Sequence, residues 1–358
     1  MVNVDWSNLH WEDKKLFEEI GIEIIDPNRN YWFIRTQGGD YYEDFRNEEF
    51  VGIEWDEVSD LELINKKKED RLKLLIIKYY PETERPGHPV NQILRFAHEI
   101  RKGDIVLIPS KDSQWISIGE FTEDNMYIYE EEDFEKIIES MDEDSKKESM
   151  LKKRRKVKWI KDVKKKEFDA YFHKIIYSHG PVVDANPYEM FIDRVLSPLH
   201  IKGDKAYVTY RVKKRSEIAG IDISGFVYKS IEILDEFGCG ESKRDIQSKI
   251  NVQSHGDIQL IGDVAKIFMI TFATISIIGG EFSLLGYKYK TPGLSKMLLE
   301  WIETINKIKR DNKQLTDVIN TTSTNLNLRA PELINDEIAT EENEATNDND
   351  DTENEEEN

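Results

Sequence analysis

Aromatic, guanidinium and amide side chains that suit recognition of a flat ligand occur close together in the first third of the sequence. Trp32, Trp55 and Trp115 lie near the ends of predicted strands, and Arg35 and Gln37 follow the first of these strands. Indole rings stack on a base, while a guanidinium and an amide hydrogen-bond to its edge. The set is typical of a nucleobase pocket. Three tryptophans in one small domain also commonly belong to a core, and the sequence leaves both interpretations open.

Four further residues are included in the candidate ligand site because of their positions. Gly38 and Gly39 form a predicted turn in which the backbone could approach a ligand closely. Tyr42 lies on a short predicted helix after this turn, and Arg95 lies on the helix that precedes the Gly-Asp start of a strand.

A basic run, KKRRKVKWIKDVKKK (152–166), provides candidates for contacts with phosphate. Several such contacts would give binding that weakens strongly with salt. The candidate phosphate contacts are Lys152, Lys153, Arg154, Arg155, Lys156 and Lys158. The alternative is a solvated strand edge whose lysines discourage pairing with other chains.

Short β-branched and aromatic runs predict the strands that would position these residues. The predicted strands are YWFIRT (31–36), FVGIEW (50–55), DIVLIP (104–109), WISIGEF (115–121), MYIY (126–129) and KVKWI (156–160). Apolar residues at a helical period predict a helix over 90–100 and others over 167–180 and 188–197. DKAYVTYRVKKR (204–215) is a further predicted strand or hairpin arm.

The pattern as a whole predicts an α+β protein with several parts. The predicted parts are an N-terminal leader (1–30), a β-rich binding domain (31–166), a helical connector (167–215), a C-terminal apolar or interaction domain (216–310) and a disordered acidic tail (311–358).

The C-terminal domain contains the most apolar stretch of the chain. The 15 residues from Val264 to Ile278 include one charged residue, Lys266. As a helix they would be about 22 Å long, short of the roughly 30 Å of a bilayer core, so a span would have to use residues 261–286. A buried core helix or buried strands, a membrane span, and a partner interface are the three interpretations. The amphipathic helix predicted over 297–310 would cover this stretch or pair with another protomer.

Charge and cysteine content limit the class of protein. The net charge of −21 is concentrated in residues 332–358, which carry 13 acidic and no basic residues. The tail has too little apolar surface to fold, and it could compete for a basic site. The single cysteine, Cys239, excludes an internal disulfide, which fits a reducing cytoplasm. The N-terminus has no secretory pattern, so we expect the chain to be cytoplasmic. Association with the inner membrane is the alternative.

Residues 31–170 resemble the N-terminal domain of some Mrr-type restriction proteins. The resemblance rests on the order of YWFIRTQGGDYYEDF, the GIEW strand, VNQILRFAHEIRKGDIVLIP, WISIGEF and RRKVKWIKDV. That domain is similar to the PUA-like barrels of the EVE, YTH and SRA modules. The resemblance implies a PUA-like N-terminal domain, recognition of a modified base or nucleotide in an aromatic pocket, and a role in prokaryotic antiphage defence.

Catalytic motifs are weak in comparison, so an enzyme is not favoured. A nuclease site would need Asp235 with Glu241 and Lys243, whose spacing is too short for two strands. The histidines show no metal-ligand spacing, and no phosphate-binding loop occurs. We therefore expect no metal, cofactor or catalytic residue. The predicted function is a non-enzymatic sensor of DNA, RNA or a small nucleotide, and the chain is expected to form a homo-oligomer through its C-terminal region. A membrane effector gated by a nucleotide, and a degenerate restriction-type nuclease, are the alternatives.

Overall fold

The chain folds into two compact units, as seen in a computed structural model that describes residues 22–129, 151–168, 171–214, 216–252, 256–278 and 292–329. The N-terminal unit comprises residues 28–196, and the C-terminal unit comprises residues 1–27 and 197–358. Strand β1 (Glu23–Ile25) already belongs to the C-terminal unit. Each unit combines a mixed sheet with helices, so the predicted α+β class is confirmed.

The N-terminal unit is built around a seven-stranded sheet. Its strands are β2 (Tyr31–Ile34), β3 (Phe50–Ile53), β4 (Ile105–Pro109), β5 (Trp115–Phe121), β6 (Tyr127–Ile128), β7 (Lys153–Lys164) and β8 (Val182–Asp184). The order is β3-β7-β5-β4-β2-β8, with β6 beside β7. Only the β2/β4 pair is parallel within this described sheet. Because β3 and β8 are not paired to each other, the sheet is an open, curled half-barrel.

The long strand β7 bends the sheet because its two halves pair with different partners. Residues 153–156 pair with β3, and residues 157–164 pair with β5. The register shifts between Ile118 and Gly119, which is a β-bulge. A Cβ at Gly119 would lie 2.5 Å from Val157 Cγ1 and 2.8 Å from the Trp159 ring, so glycine is needed there.

Helices cover the sheet and divide its interior into two cores. They are α1 (Tyr42–Asn47), α2 (Leu61–Asn65), α3 (Glu69–Tyr79), α4 (Gly87–His98), α5 (His173–Ile176) and α6 (Glu189–Leu196). Strand β2 is buried on both faces: Trp32 and Ile34 join the core that includes α1 to α4, while Tyr31 and Phe33 join the core that includes α5 and α6. This alternation follows the two-residue period of a strand.

Most of the predicted elements of this unit are confirmed within one to three residues of their ends. The strands in residues 31–129, helix α4 and helix α6 were all indicated by their patterns. The helix predicted over 167–180 was wrong: within the described part of it, only α5 is an α-helix, after a 3-10 turn at Lys165–Glu167. Helices α2 and α3 were not predicted. The acidic segment before the basic run, residues 130–150, lies outside the described residues.

The C-terminal unit contains a six-stranded sheet in the order β1-β9-β10-β12-β11, with β13 beside β10. Its later strands are β9 (Leu199–Lys202), β10 (Lys205–Val212), β11 (Gln247–Val252), β12 (Gly256–Asp263) and β13 (Leu328–Arg329). Its helices are α7 (Gly220–Glu236), α8 (Val264–Ile278), α9 (Pro292–Asp311) and α10 (Lys313–Leu326).

The apolar stretch forms helix α8, which is buried on nearly all sides. Eleven of its 15 residues are buried, and apolar side chains such as Val264, Phe268 and Ile277 belong to the core of the C-terminal unit, as do Trp301, Ile305 and Ile308 of α9. A helix that is apolar on all sides is typically buried in the core of a protein or in a membrane. The α9 stripe therefore covers α8, with 6.3 Å between the ring centroids of Phe272 and Trp301. Within the described part of the chain, no helix has the length and apolarity needed to cross a membrane.

The unit boundaries differ from those expected from composition. The predicted leader (1–30) contributes β1 to the C-terminal sheet. The predicted connector (167–215) contains β8, β9 and β10 and is shared between the two units. The predicted tail (311–358) begins with α10, whose Leu315, Ile319 and Leu326 are buried in the C-terminal core. Residues 330–358 lie outside the described residues.

Candidate functional site

A pocket of about 370 Å³ opens in the N-terminal unit where β2 and β3 end. The segment after α5 and the first residues of α4 complete its wall. The pocket is lined by Arg35, Gln37, Tyr41, Gly52, Ile53, Glu54, Trp55, His88, Leu151, His179 and Pro181. Three residues of the predicted ligand site, Arg35, Gln37 and Trp55, are thus brought together in one cavity.

Polar side chains on the pocket wall are held by hydrogen bonds. The Arg35 guanidinium donates to the Ser178 carbonyl oxygen, and the Arg35 backbone N–H donates to the Pro181 carbonyl oxygen at 3.0 Å. The Gln37 amide donates to the Glu54 carboxylate. A cation, an amide and a carboxylate therefore face one space, which offers both donors and acceptors to a ligand.

The aromatic wall is set by an unusual backbone conformation at Trp55. Its φ of 66° is in the left-handed region, which a bulky residue rarely adopts. The Trp55 carbonyl oxygen accepts hydrogen bonds from the Val58 N–H at 2.9 Å and from Lys153 Nζ at 2.7 Å. These two donors hold the turn that carries the half-buried Trp55, which lines the pocket and packs against the neighbouring core.

Lys153 lies behind this wall and is fully buried. Burial lowers the pKa of Lys153 from 10.5 to about 8, while the charge of Asp56 acts in the opposite direction. Its amine supports Trp55 and is not accessible to a phosphate.

The three tryptophans do not form a common cage, and this part of the prediction was wrong. Trp32 is 4% exposed and donates from its indole N–H to Asp104 at 2.9 Å, inside the core. Trp115 is 41% exposed at the start of β5, outside the pocket lining, with Lys164 Nζ 4.9 Å from its ring centroid. Because β2 is buried on both faces, Trp32 lies in a core, and the pocket lining contains one tryptophan, Trp55.

Gly38 and Gly39 were predicted to approach the ligand, but neither of them lines the pocket. Gly39 has a φ of 109°, and a Cβ there would lie 2.4 Å from the Lys111 backbone, so its lack of a side chain accommodates a neighbouring turn. Gly38, with a φ of 75°, faces open space. Both glycines shape the turn that carries Gln37.

Tyr42 and Arg95 are held in structural contacts away from the pocket lining. The Tyr42 hydroxyl lies 2.7 Å from Ser117 Oγ, which donates to Asp162, and burial raises the pKa of Tyr42. Arg95 donates to the Val182 carbonyl oxygen at 3.3 Å and pairs with Glu99 at 3.4 Å.

The basic run lies on β7, and alternate residues of it point inward. Arg155 is fully buried and donates to the carbonyl oxygens of Phe96, Ala97 and Asp124 at 2.6, 2.9 and 3.1 Å. Burial lowers the pKa of Arg155 to about 10. With Lys153 also buried, neither side chain is available to a phosphate, which corrects two of the six candidate contacts.

The other four candidates of this run differ in accessibility. The Arg154 side chain is 11% exposed and lies over the rings of Phe50 and Tyr129, 3.9 and 3.8 Å from their centroids. Lys156 is exposed and pairs with Glu123 at 3.0 Å. Lys152 is half-buried, and Lys158 is exposed.

Sequence patterns missed most of the pocket wall. Tyr41, Glu54, His88 and His179 have no local motif, and they come from four separate segments. For Tyr41 and Glu54, adjacency to residues already selected was the available signal; His88 and His179 had none, because the fold alone brings them in.

The residues considered for a nuclease are engaged with each other. Lys243 Nζ lies 2.6 Å from an Asp235 carboxylate oxygen, and Glu241 lies in the 3-10 turn Gly240–Asp245. These residues lie on a helix end and a turn rather than on two strands. Among the described residues, no group of three or more His, Cys, Asp or Glu side chains could hold a metal ion.

The pocket is a candidate small-ligand site in an α+β unit. Residues 32–177 of this unit match a family described as a domain of unknown function (DUF8426). That match covers the pocket residues except His179 and Pro181. Comparison with curated proteins and with solved structures gave no match.

Proposed function

We propose that the N-terminal unit is a binding module that takes a nucleobase, free or as part of a nucleotide or nucleic acid, into the pocket. The observation that carries the proposal is the convergence of Trp55, Arg35 and Gln37 on one cavity. The indole supplies a stacking surface, and the guanidinium and amide supply hydrogen bonds to a base edge.

The pocket size supports a ligand of this class. Its volume of about 370 Å³ lies at the lower end of the range of about 300–1,000 Å³ typical of small-molecule sites. Tyr41, which is half-buried, is a second aromatic residue in the pocket wall.

The Glu54 carboxylate indicates which part of a nucleotide enters. A carboxylate repels a phosphate and accepts hydrogen bonds from the amino group or ring N–H of a base. Glu54 accepts one hydrogen bond, from Gln37, and a carboxylate accepts several. The base therefore faces the pocket, and the phosphate stays outside it.

The resemblance to PUA-like domains supports the same proposal from the sequence. We assign the curled half-barrel to that superfamily as part of the proposal, and the recognition of a base by such a domain makes it a sensor in which the C-terminal unit would respond to binding.

Trp55→Ala is expected to weaken nucleotide binding by tenfold or more, because loss of one base–aromatic stack costs about 1–3 kcal/mol. Isothermal titration calorimetry of the full chain would measure it, with the four deoxynucleoside monophosphates and the 5-methyl and 5-hydroxymethyl forms of deoxycytidine monophosphate as probes.

Trp115→Ala is the matched control, since this indole lies outside the pocket lining. Its affinity for the same mononucleotides should equal that of the wild type. Trp55→Phe retains a ring and tests the role of stacking if the alanine variant unfolds. Absence of binding of every probe at millimolar concentration, or equal affinities for wild type and both Trp55 variants, would overturn the proposal.

A further inference from the structure

Three lysine–aromatic pairs lie on the surface of the N-terminal unit, outside the pocket. The Nζ atoms of Lys164, Lys165 and Lys174 lie 4.9, 5.8 and 4.3 Å from the ring centroids of their partners. The partner rings are exposed: Trp115 by 41%, Tyr177 by 71% and Tyr171 by 47%. We call these six residues the lysine–aromatic strip.

The three pairs of the strip lie close together in the folded chain. Lys164 is the strand partner of Trp115, and the Lys165 N–H donates to the Gln114 carbonyl oxygen at 2.9 Å. The His173 ring lies 3.0 Å from the Lys165 carbonyl oxygen, which fixes the start of α5 next to the end of β7. The remaining strip residues are on or beside α5, so all three pairs occupy one region of the surface.

The strip lysines are not neutralised by neighbouring carboxylates. Among the described residues, Lys164, Lys165 and Lys174 have no ion pair, in contrast to Lys156 with Glu123. Glu167 is the exposed acidic residue in the same 3-10 turn as Lys165. The strip therefore presents positive charge together with large exposed rings.

The strip reaches the rim of the pocket. Tyr177 is followed by Ser178, whose carbonyl oxygen accepts from the Arg35 guanidinium, and by His179, which lines the pocket. A chain with one base in the pocket could thus continue over the strip.

We infer that the lysine–aromatic strip binds single-stranded nucleic acid whose backbone runs from the pocket rim. The inference rests on the proposed function of the pocket. Exposed rings stack on successive bases, and lysines contact the phosphates between them, which is how proteins hold single strands. In a duplex the bases are already stacked on each other, so these rings would find no partner. The Glu54 carboxylate in the pocket repels a phosphate, which favours a charged backbone that runs outside the pocket over the strip.

The strip is tested by replacing Lys164, Lys165 and Lys174 with glutamine in the full chain. The probe is a fluorescein-labelled ten-nucleotide single-stranded DNA of mixed sequence, followed by fluorescence anisotropy over a range of salt concentrations. The affinity at low salt should fall by at least tenfold. The slope of log affinity against log salt should fall by about 2, because each lost phosphate contact on a single strand contributes about 0.7. Tyr177→Ala should weaken binding about tenfold.

Lys78→Gln is the matched control, because Lys78 forms the same kind of pair with Tyr79, 4.5 Å from its ring centroid, on α3. It should leave the affinity for the oligonucleotide unchanged. The triple variant should also keep the wild-type affinity for a mononucleotide, which reports on the pocket alone.

The two proposals fail in different ways. If a mononucleotide binds but the oligonucleotide binds no more tightly, or if the triple variant and Tyr177→Ala behave as wild type, the strip inference is overturned and the pocket stands. Equal affinity for a duplex of the same sequence also overturns it. If the oligonucleotide binds through the strip while no mononucleotide binds, the proposed function of the pocket fails instead.

Discussion

Replacing Arg155 with methionine is expected to lower the free energy of unfolding of the N-terminal unit by about 3–5 kcal/mol, because three carbonyl oxygens would each lose a hydrogen bond at a cost of about 1–3 kcal/mol. The guanidinium is fully buried and donates to the Phe96 and Ala97 carbonyl oxygens in the last turn of α4, and to that of Asp124. Methionine fills a similar volume but donates nothing, so these buried carbonyls would lose their partner. A cation at a helix C-terminus also stabilises the helix dipole. Urea unfolding followed by tryptophan fluorescence would measure the loss.

Lys156→Met provides the control because it changes the next residue of the same strand. Lys156 is exposed, and its contact with Glu123 is a surface ion pair worth about 0–1 kcal/mol. Its replacement should therefore change the unfolding free energy by less than about 1 kcal/mol. Arg155→Lys should recover part of the loss, since an ammonium reaches fewer acceptors than the planar guanidinium. Equal effects of the Arg155 and Lys156 substitutions would contradict the assignment of Arg155 as a core residue.

The same strand shows where sequence reasoning succeeded and where it was insufficient. Alternation of Val157 and Trp159 with lysines predicted a strand in β7, and the structure confirms it. The two-residue period extends to the preceding positions, so Lys153 and Arg155 share the inward face with Val157. Treating consecutive basic residues as one surface ignored this period. What the sequence could not show is that Phe96 and Ala97, far along the chain, supply acceptors for a buried cation.

The candidate site follows the same division between local and long-range information. Arg35, Gln37 and Trp55 could be selected because strand ends and a Gly-Gly turn are local signals. His88, His179 and Pro181 enter the wall only when α4 and the segment after α5 are packed against the strand ends. Helix α10 was missed for a related reason: its many Thr and Asn residues favour no helix by themselves, and burial of Leu315, Ile319 and Leu326 decides its structure.

The stability of the N-terminal unit is expected to rise with pH between about 8 and 10.5 because of Lys153. Its pKa is lowered from 10.5 to about 8, with burial as the main cause. Below pH 8 the amine is charged in both the folded and the unfolded state, and the full cost of burying the charge is present. Between the two pKa values the folded state has released this proton and the unfolded state still holds it. Since stability rises with pH wherever the unfolded state binds more protons, the gain approaches about 3 kcal/mol at pH 10.5.

Comparison with Lys153→Met isolates this contribution from that of other groups. Tyr31, whose pKa is raised by burial, titrates in both proteins and cancels in the difference. The Trp55 carbonyl keeps its hydrogen bond from the Val58 N–H in the variant, and in the wild type a neutral amine still donates to it. Urea unfolding of both proteins from pH 7.5 to 10.5 should therefore show the wild type gaining about 3 kcal/mol relative to the variant. A difference that stays constant over this range would show that Lys153 carries no proton that folding displaces, and the amine behind Trp55 would then be solvated rather than buried.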